Sequence, residues 1–171
     1  MVQLHGDETV AYCKRVQEEV STIKVFRVGD SFPNFEEYVL AVDYFLFDTD
    51  SQWYGGTGQH FNWEIIKSAS IPTPFFLSGG IGINDVQGIQ VMAGTKAGKT
   101  MLAVDLNSQF EEKPGVKQIE KIKKFIQYHR FNFDNLSFLP HEKNDVLYAT
   151  QDSSFDKMDG RRFLNGIKMI N

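Results

Sequence analysis

Cysteine is nearly absent: Cys13 stands alone among 171 residues, so no intrachain disulfide can form, which fits a reducing compartment. Positive charge is not in excess. The formal net charge is −4 and the pI about 5.5, so no broad basic face invites nucleic acid. No apolar run approaches the roughly 20 residues that span a bilayer. The opening Met-Val-Gln-Leu-His-Gly-Asp-Glu has neither a basic region nor an apolar one, so it does not read as a signal peptide. These absences together predict a cytoplasmic protein with no membrane contact. The histidines His5, His60, His129 and His141 show no metal-ligand spacing, so no metal is expected. What remains is ordinary for one soluble domain with a real core: 42% hydrophobic and 23% charged residues.

Read in order, the chain alternates strand and helix patterns. Val2–His5 is a short strand, and Asp7 or Thr9 can cap a helix carrying Val10, Cys13, Val16 and Val20 on one face. Ile23–Val28 is a strand rich in β-branched residues, and Phe35, Tyr38, Val39 and Val42 fall at helical spacing. Tyr44–Thr49 is a continuous apolar run ending on a carboxylate, as buried parallel strands read. A helix over about 61–68 follows a glycine loop, and Pro72 and Pro74 lead into the strand Phe75–Ser78. Asn84 or Asp85 starts a helix with Val86, Ile89 and Met92 on one face. Met101–Leu106 is a fifth strand, and Ile119, Ile122, Phe125 and Ile126 mark a last helix. Five βα repeats predict an α/β fold with a parallel sheet, either doubly wound or closed into a barrel. The pattern stops at about Gln127. Residues 128–171 form an unassigned tail, with one strand candidate at Asp145–Thr150 and one helix candidate near Phe163–Ile167.

Polar and glycine residues collect after the strands: His5-Gly6, Asp48, Ser78-Gly79-Gly80 and Asn107-Ser108. Chemistry in α/β folds sits at the C-terminal ends of the strands, so Asp48 reads either as a site acid or as a turn cap. Gly79-Gly80 and Asn107-Ser108 end consecutive strands, the arrangement of a backbone phosphate cradle, against the alternative of two ordinary turns. Ala93–Thr100 nearly spells a nucleotide P-loop. There a helix precedes and a strand follows, the reverse of what the P-loop requires, so the stretch reads as an exposed turn. Cys13 lies among valines and reads as core. His5 serves substrate contact or turn polarity equally well.

At these residues the chain resembles the phosphoribosylanthranilate isomerase family. The matching stretches are Val2–Glu8, Tyr44–Thr49, Tyr54–Trp63, Pro74–Ile81 and Ala103–Ser108 with Pro114–Lys117, covering Val2 to about Gln127. The resemblance implies a partial (β/α)8 (TIM) barrel of about five βα units. It also implies a cofactor-free Amadori rearrangement of N-(5′-phosphoribosyl)anthranilate, a phosphorylated small molecule, in tryptophan biosynthesis. By that match Asp48 is the general acid that protonates the furanose ring oxygen. Gly79, Gly80, Asn107 and Ser108 hold the phosphate, His5 and Asp105 line the pocket, and Gly56 and Gly58 belong to a loop over the substrate.

The chain departs from the family at one serious point. It starts where the family's fourth strand starts, and the first-strand Lys-x-Cys-Gly motif, whose cysteine is the general base, is found nowhere in it. Cys13 aligns with a helix instead. Loss of a base costs roughly 10²–10⁴-fold in rate, so an inactive phosphate-binding remnant or assembly module is the alternative to a working isomerase. A barrel lacking three strands is expected to leave two unpaired edges and an exposed apolar interior, which favours self-association.

Overall fold

Continuous apolar runs become the strands of one sheet. The computed structural model describes residues 1–50 and 61–134. Strands β1 (Val2–Leu4), β2 (Thr22–Val28), β3 (Tyr44–Thr49), β4 (Phe75–Leu77) and β5 (Met101–Val104) pair in parallel, in the order β1-β2-β3-β4-β5. Each new strand joins the same edge. A doubly wound sheet would reverse direction at a switch point, so the winding is that of a barrel segment. The helices are α1 (Val10–Glu19), α2 (Glu64–Lys67), α3 (Val86–Ala93) and α4 (Ile119–Asp134). Thr9, rather than Asp7, caps α1: its hydroxyl accepts from the Tyr12 amide at 3.3 Å. The α4 backbone runs past Gln127 to Asp134. The tail candidates at Asp145–Thr150 and Phe163–Ile167, and His60, lie outside the described residues, as do the glycines of the loop after β3.

Alternate strand residues face opposite ways and build two clusters. On the helix side Phe26, Phe45, Phe47 and Phe75 pack with Phe35, their ring centroids 5.2–6.3 Å apart in mostly edge-to-face pairs. Cys13 joins this cluster and is 0% exposed, and burial raises its thiol pKa, as befits core. On the other side Val25, Leu46, Phe76 and Ala103 lie in register across four strands and, with Ile23, form a second buried cluster. The exposed apolar interior expected from sequence is therefore corrected. Ile23, Val25, Leu46, Phe76 and Ala103 are buried on this face, and Tyr44 and Leu102, packed against them, are half-buried.

The helix expected from Phe35 to Val42 does not form. A short 3-10 turn, Glu36–Tyr38, stands there, entered by an Asn34 side chain that accepts from the Glu36 amide at 3.3 Å. The far end is pinned by Asp43, whose carboxylate accepts from the Thr22 amide at 2.7 Å and from Gln17 at 3.2 Å. Between Asn34 and Asp43 the apolar residues are used by a run of tight turns instead. The segment Ala93–Thr100 has a helix before it and β5 after it, as its sequence order indicates. It is not wholly exposed, because Ala97 is buried.

A lysine inside a strand is the least expected core residue. Lys24, 4% exposed, points to the helix side of β2 and donates to the Gly6 carbonyl at 2.6 Å and to Glu8 at 2.8 Å. Burial works to raise the Glu8 pKa, but the hydrogen bond and charge of Lys24 outweigh it and hold the carboxyl below its ordinary value. The pair ties the β1–α1 connection to β2.

Candidate active site

The strand register draws a polar row above the interior apolar one. Arg27 is paired with Asp48, and continuing the register of Phe47 with Leu77 and of Leu77 with Val104 brings Ser78 and then Asp105 into line. The row's backbone is fixed at each step: Ser78 donates its amide to the Phe47 carbonyl and Asp105 to that of Leu77, both at 2.8 Å. A cavity of about 270 Å³ opens over it, lined by Gln3, Leu46, Asp48, Ser78, Asp105 and the two loops beyond, Gly79–Ile81 and Asn107-Ser108. Asp48, Asp105, Gly79, Gly80, Asn107 and Ser108 thus line one cavity. Gly56 and Gly58 lie outside the described residues.

His5 does not join them. It sits on the exposed end of edge strand β1 and lines no part of the cavity; Gln3, two residues earlier on the same face, lines it instead. One polar residue in a three-residue strand gives no periodic signal, so nothing in the sequence marks Gln3. Lys117 carries no sequence signal either. A two-stranded hairpin, β6 (Glu111–Lys113) and β7 (Val116–Lys117), turns at Gly115 and carries it under the last loop. Its side chain is 3% exposed and donates to Asn107 Oδ1 at 2.7 Å, to Glu111 at 2.8 Å and to the Leu106 carbonyl at 3.4 Å. Charged strands this short carry no alternation to read.

Glycine at position 79 is a steric requirement. Its φ is +90°, and a Cβ there would sit 2.1 Å from Thr49 Oγ1 and 2.4 Å from the Thr49 amide nitrogen. Close approach of the β4 end to the β3 end therefore needs glycine. Gly80 follows with φ +68°. Among the described residues, the amides of Gly79, Gly80, Asn107 and Ser108 donate to no protein acceptor. Clustered free amides of this kind suit an anion.

The two carboxyl groups are set apart from ordinary aspartates. Burial raises the Asp48 pKa, opposed by the Thr49 amide donating at 2.9 Å, by the Ser78 hydroxyl and by the Arg27 charge. Burial raises Asp105 further, to about 6, helped by the Asp48 charge and opposed by the Ser78 hydrogen bond and by Lys117. Ser78, 5% exposed, donates to Asp105 Oδ2 at 3.0 Å. A carboxyl poised near neutrality can hold or release a proton at working pH. Among the described residues no group of three or more His, Cys, Asp or Glu is placed to hold a metal ion, and no helix is long and apolar enough to cross a membrane.

A singly wound parallel sheet with its acids and glycine loops gathered at the strand C-terminal ends defines a protein of the (β/α)-barrel class. Comparison with known proteins carries this further. A family model for N-(5'phosphoribosyl)anthranilate (PRA) isomerase matches residues 1–128. The N-(5'-phosphoribosyl)anthranilate isomerase of Parabacteroides distasonis is 41% identical over 129 residues, 74% of this chain and 57% of that protein. That of Petrotoga mobilis is 42% identical, covering 73% of this chain and 58% of the relative. The crystal structure of the phosphoribosyl anthranilate isomerase from Thermotoga maritima superposes with a TM-score of 0.59 at 29% identity, over 75% of this chain and 60% of that one. The chain belongs to the N-(5′-phosphoribosyl)anthranilate isomerase family, and it spans somewhat under two thirds of the length of these relatives.

Proposed function

We propose that the chain acts in the cytoplasm as a phosphoribosylanthranilate isomerase, supplying the acid and phosphate-binding side of the site. The observation that carries this reading is the convergence on one cavity of Asp48 and the amides of Gly79, Gly80, Asn107 and Ser108, which among the described residues donate to no protein acceptor. In this reading the amides take the 5′-phosphate of N-(5′-phosphoribosyl)anthranilate. Asp48, whose burial favours the protonated form, gives its proton to the furanose ring oxygen. The ring C–O bond breaks as the anthranilate nitrogen lone pair forms a Schiff base. Loss of the C2′ proton gives the enolamine, and protonation at C1′ with loss of the C2′-hydroxyl proton then yields the 1-deoxyribulose 5-phosphate. No cofactor enters this sequence of steps.

One observation favours a second reading, binding without turnover. The chain's single cysteine is buried on the helix side of the sheet and does not line the cavity, so it is not placed to take the C2′ proton. A working isomerase needs another base there. Self-association through edge strands β1 and β5, each paired with one neighbour among the described residues, would be one way to bring further groups to the site. Residues 1–127 carry the barrel part in either reading. Turnover of phosphoribosylanthranilate by the full chain, followed as loss of its fluorescence, separates the two. The isomerase reading expects turnover that Asp48→Asn abolishes. Equal turnover in the variant overturns the role of Asp48, and no turnover in either protein establishes the second reading.

A further inference from the structure

The loop after β5 turns its backbone in one sense. Every carbonyl from Leu106 to Glu111 accepts from a protein donor. The Asn107 carbonyl takes the Phe110 amide at 2.9 Å, and the Ser108 carbonyl takes that of Glu111. The rest are held by residues 117–121. Lys117 reaches the Leu106 carbonyl at 3.4 Å, Lys121 that of Gln109, and Gln118 those of Phe110 and Glu111 at 2.7 and 3.3 Å. By contrast the amides of Asn107 and Ser108 donate to no protein acceptor among the described residues. In a trans peptide the carbonyl and the next N–H point in opposite directions. Holding the Leu106 carbonyl on the hairpin side therefore turns the Asn107 N–H the other way, and both Asn107 and Ser108 line the cavity.

Lys117 is the part of this arrangement that also grips a cavity-lining side chain. An ammonium has three hydrogens, and those of Lys117 meet three acceptors: Asn107 Oδ1 at 2.7 Å, Glu111 Oε1 at 2.8 Å and the Leu106 carbonyl. Its side chain is 3% exposed, and Glu111 supplies the opposite charge. No hydrogen is left over for a ligand, so Lys117 acts through the loop. We propose that Lys117 is a positioning residue for a phosphate monoester: it clamps the Leu106 carbonyl and the Asn107 side chain together, and so keeps the Asn107 and Ser108 amides turned to the anion. Glu111 holds the ammonium in place. This deepens the phosphate reading of the cavity and rests on it.

The test titrates the full chain by fluorescence with 1-(2-carboxyphenylamino)-1-deoxyribulose 5-phosphate and with the same compound stripped of its phosphate. The variants are Lys117→Met and Lys117→Met combined with Glu111→Gln, the second leaving no carboxylate without its partner. Both should bind the phosphorylated compound roughly tenfold more weakly and the other compound as before. Should neither variant fold, Asn107→Ala decides. It removes only the exposed Oδ1 that Lys117 grips and keeps the backbone amide, and it should weaken the phosphorylated compound alone. Alongside, inorganic phosphate should shift the 15N amide signals of Gly79 and Asn107 in the unaltered chain, and in the variants that of Gly79 far more than that of Asn107. Undiminished preference for the phosphorylated compound in the variants overturns the proposal. Equal weakening of both compounds also overturns it, because Lys117 would then only support the fold. An unaltered chain that shows no preference overturns the phosphate reading itself, so the two failures are distinguishable.

Discussion

Replacing Asp105 with asparagine should stabilise the chain, and by an amount that grows with pH. Burial and the Asp48 charge lift the Asp105 pKa from 3.8 to about 6 in the folded state. A raised carboxyl pKa means the folded chain holds a proton that the unfolded chain has already released. Stability is therefore full below the unfolded value and is lost as pH climbs through the folded one. The whole rise corresponds to about 3 kcal/mol once both states are ionised, and linkage places about 1.4 kcal/mol of it between pH 5 and pH 7.5. The carboxyl is only partly buried, so solvent screening trims both figures. Asparagine keeps an oxygen for the Ser78 hydroxyl and carries no charge to bury. Urea unfolding of both proteins at the two pH values measures the effect. Asp105→Asn should be the more stable at pH 7.5, with an advantage larger there by about 1 kcal/mol than at pH 5. An advantage independent of pH, or a less stable variant at pH 7.5, would refute the assignment of a strained carboxyl at this position.

Two further outcomes follow from the packing. Gly79→Ala puts a Cβ 2.1 Å from Thr49 Oγ1 at a φ of +90°, and should cost about 2–4 kcal/mol in urea unfolding, whereas a loss below about 0.5 kcal/mol would mean the β3 and β4 ends are not held in contact. Lys24→Met leaves the Gly6 carbonyl and Glu8 without their buried partner and should cost about 3 kcal/mol near neutral pH. Since Lys24 holds the Glu8 pKa below its usual value, the pair's contribution is present above that value and lost as pH falls through the folded one, so the cost should shrink in acid; a cost constant from pH 7 to pH 3 argues against the pair.

Strands were legible because each is a short apolar run closed by a polar residue, and Tyr44–Thr49 shows why: its ladder buries both faces until Asp48 ends it. The site acids and glycines were legible for the same reason, since strand ends gather at one face of a parallel sheet. The phenylalanine and valine spacing at 35–42 misled, because the local turn chemistry of Asn34 and Asp43 overrode a real helical periodicity. Lys24 was hidden by its own charge, as nothing in an apolar run announces that Glu8 will come round to meet a lysine. The row from Arg27 to Asp105 depends on register between strands tens of residues apart, which no single stretch encodes. The choice between a doubly wound sheet and a barrel segment was likewise a matter of strand order.

In the proposed function the cavity over the polar row takes a sugar phosphate through the amides of Gly79, Gly80, Asn107 and Ser108. The most direct measurement is a fluorescence titration of the full chain with 1-(2-carboxyphenylamino)-1-deoxyribulose 5-phosphate, beside the same compound stripped of its phosphate. The account predicts at least tenfold tighter binding of the phosphorylated form, about 1.4 kcal/mol. Equal affinity for the two compounds, or no binding of either, would contradict it.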